Sequence, residues 1–434
     1  MRVLITGATG FIGRSLAQAL LRQGHELVCA VRDPRRLDLG PGRWQALQAD
    51  LARVPDRAWW REQLAGVDAV VNAVGIIRES PAQPFDALHH RAPAELFRAC
   101  VDAGVAVVVQ VSALGADEQA RSRYHLSKKA ADDVLRSLPL RGAVVQPSVV
   151  YGAGGASTAL FNRLAAAPLL WMPEAGRMHL QPVHLQDVVQ GVVALLQAPP
   201  ARIETIAFVG PEQLTMAGYL RRLRRALGVA GPLPVLPMPR SLFLWGARLA
   251  SRVPGGLLDE ETAGMLLRGN SAPAHGLQAL LGRPSTPVRQ FVPEGLQEPL
   301  RTQAVLGVWV PVLRVALALL WLWTAVVSLG LYPVQDSYAL LAQVGITGAA
   351  APVALYGAAL LDGVLGLLTL ACPARWRRAL WALQLLVIAG YTALITLFLP
   401  EYWLHPYGPI SKNLPILAAI GLLWGLEPRP TLRR

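Results

Sequence analysis

The uneven distribution of charge restricts this chain more than any single motif does. Of the 303 residues up to Gln303, 57 are charged; of the 131 that follow, 12 are. Four apolar segments crowd into that last stretch, at residues 311–331, 352–371, 379–399 and 409–426. A helix that crosses a bilayer needs about 20 apolar residues. The first three segments meet that length. The fourth is marginal, since its strictly apolar part starts at Leu414. Four such segments packed as soluble helices would leave no polar surface, so the expectation is a water-soluble front followed by a membrane-embedded back.

Composition agrees. Charged residues are 16% of the chain, against about 25% in soluble domains, and 434 residues suffice for two or more domains. The net charge of +13 splits into +9 in front and +4 behind. Such a balance raises nucleic-acid binding, but no basic–aromatic stripe or zinc spacing accompanies it. Only Lys128, Lys129 and Lys412 are lysines. Basic loops beside a membrane explain the excess, and no nucleic-acid partner is expected. Cys29, Cys100 and Cys372 are too dispersed for a disulfide framework or a metal cluster, and no metal site is expected. The first residues lack the apolar core and cleavage site of a signal peptide.

Loop charges predict the orientation. Arg375, Arg377 and Arg378 lie between the second and third segments; Arg429, Arg433 and Arg434 lie in the tail. The other two loops share one basic residue, Lys412. With four spans, the positive-inside rule puts both termini in the cytoplasm and the chain in the inner membrane.

In front, residues 2–6 read as a short buried strand, followed by TGATGFIG and a helix to about Gln23. Further strands are expected at 26–31, 69–72, 105–111 and 142–150, with helix 92–103 between two of them. Alternation from the first residue predicts an α/β fold, a doubly wound parallel sheet of Rossmann type. Residues 1–209 would form it. Residues 210–300, richer in Pro and Gly, would form a small cap or substrate subdomain ending in a linker from 282 to 302. An all-α four-helix transmembrane bundle would occupy 301–434.

Gly7, Thr9, Gly10, Phe11, Ile12 and Gly13 stand between strand and helix, where a dinucleotide pyrophosphate meets a helix N-terminus. Gly7 permits the tight turn, Gly10 the approach of the phosphates and Gly13 close helix–strand packing. The second strand ends at Arg32-Asp33. Arg32 suits the 2′-phosphate of NADP(H), which is expected over NAD(H); Asp33 keeps NAD(H) open. Asp50 and Leu51 are placed either to meet the adenine or to cap a helix. Asn72 and Ala73 end the strand that passes the cofactor ribose.

Tyr124 and Lys128 fall one helical turn apart on one face. An ammonium beside a phenol favours the phenolate, which predicts a lowered Tyr124 and proton exchange with a substrate oxygen. Lys128 is also placed to bond the nicotinamide ribose. Ser112, twelve residues earlier, is the candidate to polarise a carbonyl.

With these residues in place, the front 300 residues resemble the short-chain dehydrogenase/reductase superfamily, in its extended or atypical NAD(P)-dependent epimerase/dehydratase-like branch. Pro147-Ser148-Val149-Val150-Tyr151-Gly152 and Gln181-Pro182-Val183-His184 resemble the branch that includes the Rossmann-fold accessory subunit of respiratory complex I. The resemblance implies that Pro147 and Ser148 border the nicotinamide and that His184 and Asp187 lie towards the substrate. Gln146 departs from the pattern, which commonly has Arg there to hold an anionic group. The back resembles the DoxX-like family of four-helix membrane proteins, chiefly at 399–415, which is expected to fold back at the outer interface as an aromatic belt. DoxX-like relatives are linked to quinone-dependent oxidation, but this segment carries no redox metal or thiol pattern.

Arg314, Asp362 and Gln384 lie within spans. An isolated charge there is costly, so an Arg314–Asp362 pair is expected, as a clamp or part of a pocket. Residues 220–227 and 241–253 are amphipathic and basic; they fit either the anionic leaflet or subdomain helices with a solvated face.

The leading reading is a membrane-anchored NAD(P)(H)-dependent oxidoreductase. Its substrate would be a carbonyl or hydroxyl of a lipophilic molecule, quinone-, isoprenoid- or lipid-like, and its surroundings inner-membrane lipid. Two alternatives stand beside it: a non-catalytic cofactor-binding subunit partnering a membrane complex, and an epimerase or dehydratase of nucleotide sugars.

Overall fold

The computed structural model of the protein describes residues 1–251 and 259–428. Arg252, Arg429, Arg433 and Arg434 lie outside them. The chain forms two compact units, Met1–Val305 and a second beginning at Leu306.

The first unit is built on seven parallel strands: β1 (Arg2–Thr6), β2 (Glu26–Val31), β3 (Trp44–Gln48), β4 (Ala69–Asn72), β5 (Val107–Val111), β6 (Gly142–Pro147) and β7 (Ile203–Phe208). Their order is β7-β6-β5-β4-β1-β2-β3. Strands β1, β4, β5 and β6 are Val/Ile/Leu-rich and almost wholly buried, as a sheet covered on both faces requires. Helices α1 (Phe11–Arg22) and α6 (Leu185–Gln197) cover one face, where Leu16, Leu20, Val188, Val192 and Phe208 are buried together. Helices α2 (Arg57–Gln63), α3 (Ala92–Asp102) and α4 (Arg123–Ser137) cover the other, around Trp60, Leu96, Phe97 and Leu135. The order of connections reverses between β1 and β4. Their carboxyl ends therefore open the crevice in which ligands of such sheets bind.

Helix α5 (Ala156–Ala166) is followed by α7 (Met216–Ala226), α8 (Arg240–Ala250), α9 (Glu260–Arg268) and α10 (His275–Leu281). A two-stranded ribbon, Leu170–Pro173 with Val235–Met238, joins them. Helix α7 resolves one open sequence reading. Tyr219, Leu220 and Leu223 are buried, and Arg224 donates to the carbonyls of Ala165, Ala167, Ala230 and Gly231. Arg222 pairs with Glu212. This is a packed subdomain helix with Arg224 buried and Arg221 and Arg225 on its solvated face. The stretch expected as a linker is also packed: Ser285, Val288, Phe291 and Val292 are buried.

The second unit contains α11 (Gln297–Val326) from Leu306 on, α12 (Val334–Gln343), α13 (Ala350–Ala371), α14 (Ala374–Phe398) and α15 (Asn413–Leu426). Three helical stretches, Glu294–Leu331, Ala350–Ala371 and Ala374–Phe398, are long and apolar enough to cross a membrane. Helix α15 has 14 residues, roughly 21 Å at 1.5 Å per residue, short of the ~30 Å hydrocarbon core. Arg314 in the middle of α11 meets Thr369 near the end of α13, and Arg378 at the start of α14 meets Trp424 and Glu427 at the end of α15. The end of α13, the start of α14 and the end of α15 share one end of the bundle, where Arg375, Arg377 and Arg378 lie. Residues 400–413 fold back onto α14: Trp403 Nε1 donates to Thr396 Oγ1 and Asn413 Nδ2 to Thr392 Oγ1.

The expected Arg314–Asp362 pair does not form. Arg314 donates to the Thr369 carbonyl (3.0 Å) and lies over the Trp381 ring. Thr369 is two turns from Asp362, about 10 Å along the helix, which puts the guanidinium at the wrong level. Gln384 instead links Thr369 Oγ1 (2.8 Å) to Trp321 Nε1 (3.0 Å) inside the bundle. A polar file satisfies its own groups where the sequence suggested a charge pair.

Candidate functional site

The glycine turn sits at the β1–β4 crevice. Gly7 has φ +75°, and a Cβ there would lie 2.7 Å from the Ala73 carbonyl oxygen. A Cβ on Gly13 would lie 2.2 Å from the Gly7 oxygen. The turn is thus pressed between α1 and the chain leaving β4. Gly10 N-caps α1 and no side chain caps it, so the first-turn amides face outward for an anion. Thr9 and Gly10 are exposed at this mouth, with Phe11 and Ile12 half-buried behind them. The cradle fits a dinucleotide pyrophosphate.

Arg32 is exposed just past β2. Asp33 is paired at the surface with Arg35, which donates to its carboxylate through Nε (2.9 Å) and Nη2 (3.2 Å). Asp50 accepts from the Ala52 amide and caps a short 3₁₀ turn, while Leu51 is buried in the core. Asn72 is wholly buried, with Thr6 Oγ1 donating to it and its own amide donating to Gln110 Oε1 (2.6 Å). Its side chain ties β1, β4 and β5 together, leaving the backbone from Ala73 to Gly75 to face the crevice. Pro147 ends β6, its carbonyl accepting from the Leu114 amide. Ser148 is buried and its hydroxyl donates to the Gln181 carbonyl.

Two residues that the resemblance places towards the substrate, Asp187 and His184, also have structural partners, and for His184 the sequence leaves a helix-start role equally open. Asp187 is fully buried and clasped by Arg283 Nη2 (2.7 Å) and the Thr286 amide (2.7 Å). His184 caps α6 and packs beside Tyr151 and Phe291. Both tie the 283–291 segment to α6, Asp187 through hydrogen bonds and His184 through its contact with Phe291.

Ser112, Tyr124 and Lys128 gather around a fourth group, Asp132. Tyr124, Lys128 and Asp132 recur every four residues on α4 and so share one face. Ser112 Oγ donates to Asp132 Oδ2 (2.5 Å). Lys128 Nζ donates to the carbonyls of Val74 (2.8 Å) and Val111 (3.1 Å). Two of its three donors thus brace the ends of β4 and β5, and one is left. Burial pulls the Lys128 ammonium down to about 8, against the opposing charge of Asp132. Burial pushes the Asp132 carboxyl up to about 6, opposed by the Ser112 hydrogen bond and the Lys128 charge.

Tyr124 runs against the sequence expectation. Burial, then the nearby Asp132 charge, push its phenol up to about 12. Lys128, drawn down to about 8, has lost its charge before the phenol titrates and so does not lower it. At neutral pH the phenol holds its proton.

His89 was not legible in the sequence. Its Nε2 accepts from the Ile76 amide (3.0 Å), so Nδ1 carries the proton and faces Ser127 Oγ (2.9 Å), which donates to the Tyr124 carbonyl (2.8 Å). Burial keeps this ring neutral, down to about 2. His89 and Phe85 pack edge-on against the Tyr124 ring. Glu261 of α9 accepts from the Tyr124 amide (3.0 Å). Gln146 donates to the Ala116 carbonyl (3.1 Å) and shapes the loop where an anion-binding Arg is common. A cleft of about 910 Å³ opens at the start of α4, lined among others by Arg121, Ser122, His125, Arg240, Met265 and Arg268.

A Rossmann sheet with a glycine cradle and a Ser/Tyr/Lys cluster defines a dinucleotide-dependent protein of the short-chain dehydrogenase/reductase type. Residues 3–208 match the NAD dependent epimerase/dehydratase family and residues 318–421 the DoxX-like family. Ceramide reductase of Caulobacter vibrioides is 30% identical over 250 residues, covering 55% of this chain and 74% of that protein. The mitochondrial NADH dehydrogenase [ubiquinone] 1 alpha subcomplex subunit 9 of Mus musculus is 25% identical over 244 residues, covering 53% and 63%. The solved structure of MoeE5 in complex with UDP-glucose and NAD superposes with a TM-score of 0.50 at 20% identity, over 70% of this chain and 97% of that one. The chain belongs to the NAD-dependent epimerase/dehydratase family, with a DoxX-like domain at its C-terminal end.

Proposed function

We propose that the protein is a membrane-anchored reductase that uses NADPH to reduce a carbonyl on a lipophilic substrate. The gathering of Ser112, Tyr124 and Lys128 around Asp132, in a sheet that also carries the glycine cradle, carries this reading. The nicotinamide, when bound, supplies the hydride. Tyr124 gives its proton to the carbonyl oxygen. Lys128 keeps Val74 and Val111 in place and has one donor left for the cofactor ribose. Ser112 orients the carbonyl once its hydroxyl proton turns from Asp132. Residues 210–300 act as the substrate cap. The similarity to ceramide reductase supports a lipid carbonyl. The Arg375–Arg378 cluster supports a cytoplasmic position for that end of the bundle, in the inner membrane. The test is NADPH consumption by the full chain in nanodiscs given a long-chain ketone; no consumption with any such ketone would overturn the reading.

NADPH is the expected partner because Arg32 is exposed and Asp33 is paired with Arg35. Arg32→Ala should cost about tenfold in NADPH affinity, the scale of one charge-assisted phosphate contact, with NADH affinity unchanged. Titration of both cofactors reads this directly. Equal wild-type affinities would refute the 2′-phosphate role.

Asp132 supports the Lys128 charge. Turnover should be level up to about pH 8 and decline above it, as Lys128 loses its proton. Asp132→Asn removes the anion that raises Lys128, so the alkaline limb should move to lower pH. A pH–rate profile with an unmoved limb would exclude this tuning.

The complex I subunit relatives favour a second reading, a non-catalytic subunit that needs the cofactor only to hold its shape.

A further inference from the structure

We infer that α8 and the adjoining Leu170–Pro173/Val235–Met238 ribbon form a membrane-docking face that brings the cleft at the start of α4 to the lipid leaflet. Nine large apolar side chains are exposed among the described residues of the first unit, and five of them fall here. Leu242 (51% exposed), Trp245 (58%) and Leu249 (45%) recur at three- and four-residue spacing along α8, so they form one stripe. The inward side of α8 carries Ala247, fully buried. Trp171 (56%) and Leu236 (41%) are paired in register on the ribbon and therefore share a face. The ribbon runs into α8 through Pro239 alone.

An exposed patch of this kind marks an interaction surface, and its composition points to a bilayer. Trp at the polar–apolar boundary with Arg beside it is the pattern of an interfacial helix. Arg240 opens α8, and Arg248, paired with Glu260 of α9, lies on its exposed side. The front of the chain is net positive, which suits an anionic leaflet. The same chain continues into helices long and apolar enough to cross a membrane, so a lipid surface is its permanent neighbour. The sequence left 241–253 open between the leaflet and a solvated basic face; the exposed stripe is apolar.

Helix α8 also borders the cleft. Arg240, its first residue and on the side opposite the stripe, lines the cleft together with Ser122, Arg123 and His125 at the start of α4. On the reading that this cleft takes the substrate, the substrate is an amphipathic lipid. Its chain remains in the leaflet while its polar, carbonyl-bearing head enters among the arginine and glutamate side chains.

The native cysteines are buried, so a single introduced cysteine takes a nitroxide label selectively. Labels at 242, 245 and 249 in the full chain, in phosphatidylcholine–phosphatidylglycerol nanodiscs, should collide with oxygen and be shielded from a water-soluble nickel chelate. A label at Arg202, outside the patch, should show the reverse. Chelate access equal to that control would overturn docking, whether a protein partner or nothing covers the face. Leu242→Ser/Trp245→Ser should reduce kcat/KM about tenfold or more for a bilayer-embedded long-chain ketone, leaving a water-soluble short-chain ketone and NADPH affinity unchanged. An equal loss for both ketones would overturn the entry route. Shielded labels in a protein that reduces neither ketone would uphold docking and reject the reductase reading.

Discussion

Tyr124→Phe should abolish nearly all carbonyl reduction while leaving dinucleotide affinity intact. The change removes one oxygen from a ring held edge-on by Phe85 and His89, and no hydrogen bond that shapes the fold runs through that oxygen. Its loss removes the proton donor, and general acid–base catalysis is worth about 10²–10⁴-fold. The measurement pairs NADPH titration with turnover of a long-chain ketone. If the protein is instead a cofactor-holding subunit, Tyr124→Phe should preserve its cellular phenotype. That result would reject the reductase reading.

Gly13→Val should eliminate dinucleotide binding. Even the first added carbon lies 2.2 Å from the Gly7 oxygen, which no rotamer relieves because both groups are backbone-fixed. Helix α1 must move off the turn, and the amides aimed at the pyrophosphate move with it. Overpacking of this sort typically costs about 1–3 kcal/mol of stability, so the chain should still fold with a reduced Tm. Affinity should fall by at least about 100-fold, since a helix N-terminus acts within its first turn. Wild-type affinity in this variant would mean that the cofactor does not use the cradle. Both readings of the protein require this loss; the Tyr124 variant separates them.

The Rossmann sheet was legible because its signals are local. A buried parallel strand reads as an apolar run, and a strand–glycine–helix junction is contiguous, so β1, β2, β4, α1 and α3 lie within a residue or so of where the pattern places them. The long apolar helices were legible for the same reason. Asp132 was also available, as the third member of a four-residue spacing on α4, but a carboxylate on a helix is ordinarily solvated, and only burial marks this one.

The sequence by itself determined the fold class, the cofactor cradle, the Tyr124/Lys128 face and the presence of a membrane half. Each rests on a period or spacing within one element. The tertiary structure alone decided where Asp187 and His184 point, what Arg314 bonds, and that His89 braces the Tyr124 helix. At Tyr124 the two differ in sign: proximity to Lys128 predicts a lowered phenol, while burial and the Asp132 charge raise it. A charge's effect depends on what else surrounds both groups, and those neighbours come from strands and loops far away in the chain.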